Sequence, residues 1–143
     1  MTAEEFLKGY STIDAIIKSK EMKIEDLNDK ATGTTSHLTP DKVQTSGSGQ
    51  KMANSVDEAI VLLEEIEPLK VQRTRIRRQI ESVIEQLPLL RYKILYRYYI
   101  LFMSPQAIGK EIDRTKDTVN RQKRIAIEEV QNILDKMPLN NSK

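Results

Sequence analysis

Cysteine is absent from the 143 residues, which excludes disulfides, thiolate metal sites and cysteine nucleophiles. Tryptophan is absent too, phenylalanine occurs twice and histidine once, so a thick aromatic core and a histidine-built metal site both lack their material. The one histidine, His37, stands in a Thr/Ser/Gly/Pro-rich stretch without a Cys, His or carboxylate cluster around it. No glycine loop of the phosphate-cradling kind is present, and no nucleophile sits beside paired carboxylates. With acid–base, covalent and metal chemistry all short of parts, the chain is expected to be no enzyme, with no catalytic residue, no metal and no cofactor. No apolar run approaches the roughly 18 residues of a membrane span. The N-terminus Met1-Thr2-Ala3-Glu4-Glu5-Phe6 is acidic where a signal peptide is basic. A cytoplasmic protein outside the membrane is the expectation.

What the chain does contain is charge in helical register. Charged residues make up 31% and apolar residues 38%, a balance that suits elongated helices with a narrow apolar seam. The length allows one ordinary domain, or a small domain with an extended helical arm. The net charge of +2 conceals a division. Residues 1–69 carry 7 Lys/Arg against 13 Asp/Glu, net −6; residues 70–124 carry 14 against 5, net +9; the tail carries 2 against 3, net −1. A local cationic excess attracts polyanions whatever the whole-chain charge is, although the same charges also serve as a solvated helix face.

Thr2 followed by Glu5 has the spacing of a capping box and predicts a helix start at residue 2 or 3. Phe6, Tyr10, Ile13, Ile17, Lys20, Ile24, Leu27 and Ala31 then recur at spacings of four and three, a heptad seam interrupted by Lys20. The spacing predicts one long helix within 1–31, of about 28 residues and roughly 42 Å at ~1.5 Å per residue. From 32 to 54 the composition changes to Thr, Ser, Gly, Pro and Lys, which predicts a flexible linker. Ser55 and Glu58 look like a second capping box. Ala59, Leu63, Ile66, Leu69, Arg73, Ile76, Ile80, Val83 and Leu87 then define a second long helix over 55–87. Pro68 removes a hydrogen bond inside it and predicts a kink or break there. The two helices can pair as an antiparallel hairpin or with a second chain.

Pro88 opens a third expected helix, Leu89 to Phe102, in which Tyr92, Tyr96, Tyr98 and Tyr99 lie among Arg91, Lys93 and Arg97. Aromatics among basic residues suit base stacking, but Leu95, Tyr98, Tyr99 and Phe102 at helical spacing suit a small core better. Ser104-Pro105 has the form of a cap and first position for a short helix ending at Ile112. The run Pro105-Gln106-Ala107-Ile108-Gly109-Lys110-Glu111-Ile112-Asp113-Arg114-Thr115-Lys116-Asp117-Thr118-Val119-Asn120-Arg121 then has the layout of a helix-turn-helix. Ile108 and Ile112 face inward, Gly109 allows a close crossing, and Thr115 caps the second helix. Val119, Ala126, Ile127 and Val130 form that helix's buried stripe, bridged by Gln122 or Lys123. Residues 88–137 thus form a small C-terminal domain, and the whole reads as all-α: a long N-terminal helical hairpin followed by a helix-turn-helix.

On this layout Lys116, Asp117, Asn120, Arg121 and Arg124 occupy the exposed start of the second helix, where a recognition helix meets base edges in the major groove. Arg121 and Arg124 have the fork that fits guanine, and Asn120 has the amide that fits adenine. Lys110, Arg114, Lys116 and Lys123 suit phosphate contacts, and Thr115 and Thr118 complete the expected DNA-binding set.

Leu95-Tyr96-Arg97-Tyr98-Tyr99, Ala107-Ile108-Gly109-Lys110-Glu111-Ile112 and Thr118-Val119-Asn120-Arg121 resemble region four of bacterial sigma factors. They resemble more closely the small late-gene regulators of phages of Gram-positive bacteria, the ArpU and RinA type, and Thr2-Ala3-Glu4-Glu5-Phe6-Leu7 with the helical arm looks similar to proteins of that kind. The resemblance implies a DNA-binding activator of late or packaging genes in a bacterial host cell, with RNA polymerase as a further partner. Two departures stand out: the turn Asp113-Arg114 lacks the usual glycine, and Gly109 stands where many such proteins carry Ala. A homo-oligomer, a dimer first, is expected on paired double-stranded DNA half-sites. The alternatives are a packaging component of the small terminase kind, which forms rings, and a helical protein that binds a host factor through its acidic first half.

Overall fold

The reciprocal cap at the N-terminus forms as its spacing predicts. Thr2 N–H donates to Glu5 Oε1 at 3.0 Å, and Glu5 N–H donates to Thr2 Oγ1 at 3.1 Å. In this computed structural model, which describes residues 1–32 and 46–137 with side chains at 1–30 and 54–137, every regular element is helical. The elements are α1 (Ala3–Thr32), α2 (Ser46–Ile84), α3 (Leu89–Leu95), α4 (Pro105–Ile112) and α5 (Lys116–Lys136), with a π-helical turn, Tyr96–Ile100, extending α3. No strand occurs among the described residues, and none of their helices is long and apolar enough to cross a membrane. His37 and the rest of 33–45 lie outside the described residues, as does the side chain of Ala31.

Two expected boundaries are corrected. α2 starts at Ser46, so residues 46–54 are helix and not linker, and Ser55 is a buried helical residue with no capping role. A helix nucleated downstream extends backwards at the cost of propensity alone, and one bond is gained for each residue fixed. The same helix passes Pro68 without a break. Pro68 and Glu64 are both exposed, so the carbonyl that loses its donor is left to water. A third correction concerns register. Leu63 is 50% exposed and Leu62 is half-buried. With Leu62 in its place the seam Ala59, Leu62, Ile66, Leu69, Arg73, Ile76, Ile80, Val83, Leu87 alternates three and four without interruption.

The chain divides into two compact units, Met1–Thr12 with Arg73–Lys143, and Ile13–Gln72. In the second, Ile13, Ile17 and Leu27 of α1 and Ala59 and Ile66 of α2 are buried. Lys20, the polar interruption of the first seam, reaches across to Glu65 at 3.0 Å, and Glu21 meets Lys70 at 3.7 Å. Both ion pairs join α1 to α2 beside the polar interruption at Lys20.

The first unit has a fuller core. Ala3, Leu7, Ile80, Val83, Ile84, Leu87, Leu95, Tyr99, Ile100, Ala126, Val130 and Leu134 form one buried cluster. Phe6 and Tyr10, expected as seam residues, are only partly buried beside it, because Ala3 and Leu7 take the inward positions. The Ala3 N–H, an orphan donor of the first helical turn, is satisfied by Gln131 Oε1 at 2.7 Å. A second cluster, Ile94, Ile108 and Val119, joins α3, α4 and α5, with Leu90, Met103 and Ile112 packed against it.

The aromatics belong mainly to this packing. Tyr99 is buried, Tyr98 packs edge-on against it at 4.8 Å, and burial pushes the Tyr99 phenol up to about 12. The third helix ends before its expected limit at Phe102. Leu101 N–H bonds to Tyr96 O at 3.1 Å, the wider π pattern, and Phe102 turns into the left-handed region at φ 59°. Phe102 is therefore 48% exposed, not core, and stacks on Tyr10 at 5.7 Å.

Candidate nucleic-acid interface

Ser104 and Thr115 start the two helices of the candidate site in the same way. Ser104 Oγ accepts from Ala107 N–H at 3.1 Å, with Pro105 in the first helical position; Thr115 Oγ1 accepts from Thr118 N–H at 3.1 Å. The Thr115 hydroxyl also donates to Thr118 Oγ1 at 2.9 Å, so both threonines are occupied in the cap. Between the helices the chain makes a three-residue turn, Asp113–Thr115. The missing glycine is explained here: Asp113 itself adopts the left-handed conformation, φ 62° and ψ 53°, one that short polar side chains tolerate. Its N–H and that of Arg114 both bond to Gly109 O.

Gly109 is needed for this turn. A Cβ on it would lie 2.5 Å from the Arg114 carbonyl oxygen, a contact real side chains do not make. The close approach is to the turn's backbone and not, as expected, to the body of the following helix. Alanine does not fit here unless the turn shifts.

α5 is amphipathic as expected. Val119, Ala126, Val130 and Leu134 are buried, and Ile127 is partly so. On the other side Lys116, Asp117, Arg121 and Arg124 are exposed, while Asn120 is half-buried. Lys110 on α4 and Arg114 in the turn are exposed as well, Arg114 donating to the carbonyl of Asp113 at 3.1 Å. Among the described residues, Lys110, Lys116, Arg121 and Arg124 make no ion pair.

Lys123 is reassigned. Its ammonium sits 3.9 Å from the centre of the Tyr98 ring, a cation–π contact that directs it into the unit and away from an expected phosphate. Gln122 likewise turns inward and accepts from Arg91 Nε at 2.9 Å.

The cations of this unit thus fall into two groups. Arg77 binds Glu81 at 3.0 Å and the Tyr96 hydroxyl at 3.3 Å, and its pKa is raised chiefly by the Glu81 hydrogen bond. Arg91 binds Glu129 at 2.8 Å, and Arg97 pairs with Glu111. These three arginines hold helices together. The cations without an ion pair among the described residues include Lys110, Lys116, Arg121 and Arg124, with Lys8, Lys93 and Lys136 elsewhere in the unit and two arginines that the motif did not contain, Arg75 and Arg78 of α2. The signal that marks those two is local: no Asp or Glu occurs between Glu67 and Glu81.

The described residues hold no cluster of three or more His, Cys, Asp or Glu side chains suited to a metal. Comparison with family models, curated proteins and solved structures finds no match for this chain.

Proposed function

We propose that the protein is a sequence-specific DNA-binding transcriptional regulator that offers the first turns of α5 to the major groove. One observation carries the reading: Lys116, Arg121 and Arg124 stand exposed and unpaired on a helix whose opposite side is buried and whose first turn is capped, while the packing arginines of the same unit are neutralised. Arg121 and Arg124 have the fork for guanine O6 and N7, Asn120 the amide for adenine, and Asp117 an acceptor for cytosine N4. Lys110, Arg114 and Lys116 hold phosphates, with backbone amides of the α5 start beside them. The resemblance to late-gene regulators of phages adds activation of late or packaging genes, a dimer on paired half-sites, and RNA polymerase as a second partner.

The test is fluorescence anisotropy on the upstream and neighbouring intergenic DNA of the protein's own gene, beside a scrambled duplex, at two salt concentrations. Tight, salt-sensitive binding to one native fragment is expected. Arg121→Ala should cost about 1–3 kcal/mol on that fragment and little on the scramble; equal loss on both would remove it as a base reader. Absence of binding to every duplex at low salt would overturn the function and direct attention to protein partners.

A further inference from the structure

Four arginines fall within six residues of α2, Arg73, Arg75, Arg77 and Arg78, all in the first unit. Their surroundings separate them. Arg77 is engaged by Glu81 and Tyr96, and Arg73 has an interaction of its own. Arg75 and Arg78 are exposed, make no ion pair among the described residues, and stand three positions apart, so they share one helix face. The neighbouring positions on that face are Val71, Gln72, Thr74, Gln79, Glu81 and Ser82, and the one carboxylate among them, Glu81, is taken by Arg77. A solvated helix face ordinarily interleaves signs, as the same helix does earlier at Glu64, Glu65, Glu67 and Lys70. Here the acid-free run extends from Pro68 to Ile80.

We infer that Arg75 and Arg78 form a second phosphate-binding surface, which grips the backbone of duplex DNA outside the base pairs read by α5. The inference rests on the DNA-binding reading and extends it to a second element. The chemistry favours phosphate: both cations are guanidiniums, whose planar forks match phosphate oxygens in bidentate fashion. Side chains whose Cβ atoms lie ~5–6 Å apart can also reach adjacent phosphates of a duplex carrying one charge per ~1.7 Å of axis. Such contacts add affinity without sequence preference.

The experiment measures affinity against salt for the full chain and its Arg75→Gln/Arg78→Gln variant, using a fluorescein-labelled duplex of random sequence as the probe. Poly-glutamate serves as a second polyanion. Circular dichroism confirms that the variant keeps its helices. The slope of log affinity against log salt should fall in magnitude by about 0.9 for each phosphate lost, close to two units for the pair. The preference of the protein for its native fragment over the random duplex should not change. An unchanged slope in a protein that binds DNA would overturn the second surface and leave the α5 reading intact. Loss of poly-glutamate binding alone, with the DNA slope unchanged, would overturn it in favour of an acidic protein partner. Failure of the wild type to bind DNA would end both readings together.

Discussion

The two units of this chain share α1 and α2 but differ in sign and in depth. Residues 13–72 hold 7 Lys/Arg against 11 Asp/Glu, net −4, whereas residues 1–12 and 73–143 hold 16 against 10, net +6. In the acidic unit the buried set is a seam of single residues, closed by ion pairs at Lys20–Glu65 and Glu21–Lys70. In the basic unit α3, α4, α5 and the ends of α1 and α2 enclose two buried clusters. The comparison teaches that a local motif acquires geometry only where its helices are packed from several sides. The caps at Ser104 and Thr115, the left-handed Asp113 and the close approach at Gly109 all sit on the Ile94–Ile108–Val119 cluster.

The largest expected effect tests that dependence. Ile108 is fully buried where α3, α4 and α5 meet, so Ile108→Ala should destabilise by about 2–5 kcal/mol. Leu63→Ala, at a half-exposed site of the acidic unit, should stay near zero, within about 0.5 kcal/mol. Denaturant unfolding of the two variants compares them directly, and equal losses would break the contrast. Gly109→Ala comes next: helix propensity favours Ala by about 1 kcal/mol, but the Arg114 carbonyl stands 2.5 Å from the new Cβ. A net loss of about 1–3 kcal/mol is expected, and a gain in thermal stability would show that the turn yields freely.

Tyr99 supplies a smaller, pH-dependent effect. Burial raises its pKa from 10.0 to about 12, so the fold favours the neutral phenol. Its contribution is therefore complete below pH 10 and is lost as pH rises towards 12. Ultraviolet titration should show Tyr99 ionising late, with the Tyr92 phenol also raised, chiefly by burial. Tyr99→Phe should flatten the alkaline decline in stability, and an unchanged decline would place its cause elsewhere. The smallest effect belongs to the acidic unit. Glu65→Gln removes the Lys20 ion pair, whose side chains are 30% and 47% exposed, and should cost no more than about 1 kcal/mol, less in high salt.

How much of this was legible in the sequence depends on how local the cause was. The Thr2–Glu5 box, the Ser104 and Thr115 caps and the α5 stripe depend on neighbours three or four positions away, and each appears where its spacing put it. Leu62 was hidden because two adjacent leucines satisfy the same pattern, and only the partner surface chooses between them. The end of α3 was hidden for a similar reason. The π turn and the left-handed Phe102 depend on how the chain enters α4, and no propensity of Tyr, Ile or Leu announces it. At the candidate site the exposed cations were legible, but the direction of Lys123 was not. Its stem lies between solvent and the buried stripe, and the Tyr98 ring, 25 positions earlier, captures it.

The most direct test sets one unit against the other. Binding to the native upstream duplex should be measured for the wild type, for a variant with Lys110, Lys116, Arg121 and Arg124 all changed to Gln, and for one with Lys18, Lys20, Lys23 and Lys70 changed to Gln. The first variant should lose most of its affinity for the native duplex, with the salt slope falling by about 0.9 for each phosphate contact removed, while the second should bind as the wild type does. Equal weakening in the two variants, or wild-type affinity in the first, would contradict the assignment of DNA recognition to α4 and α5.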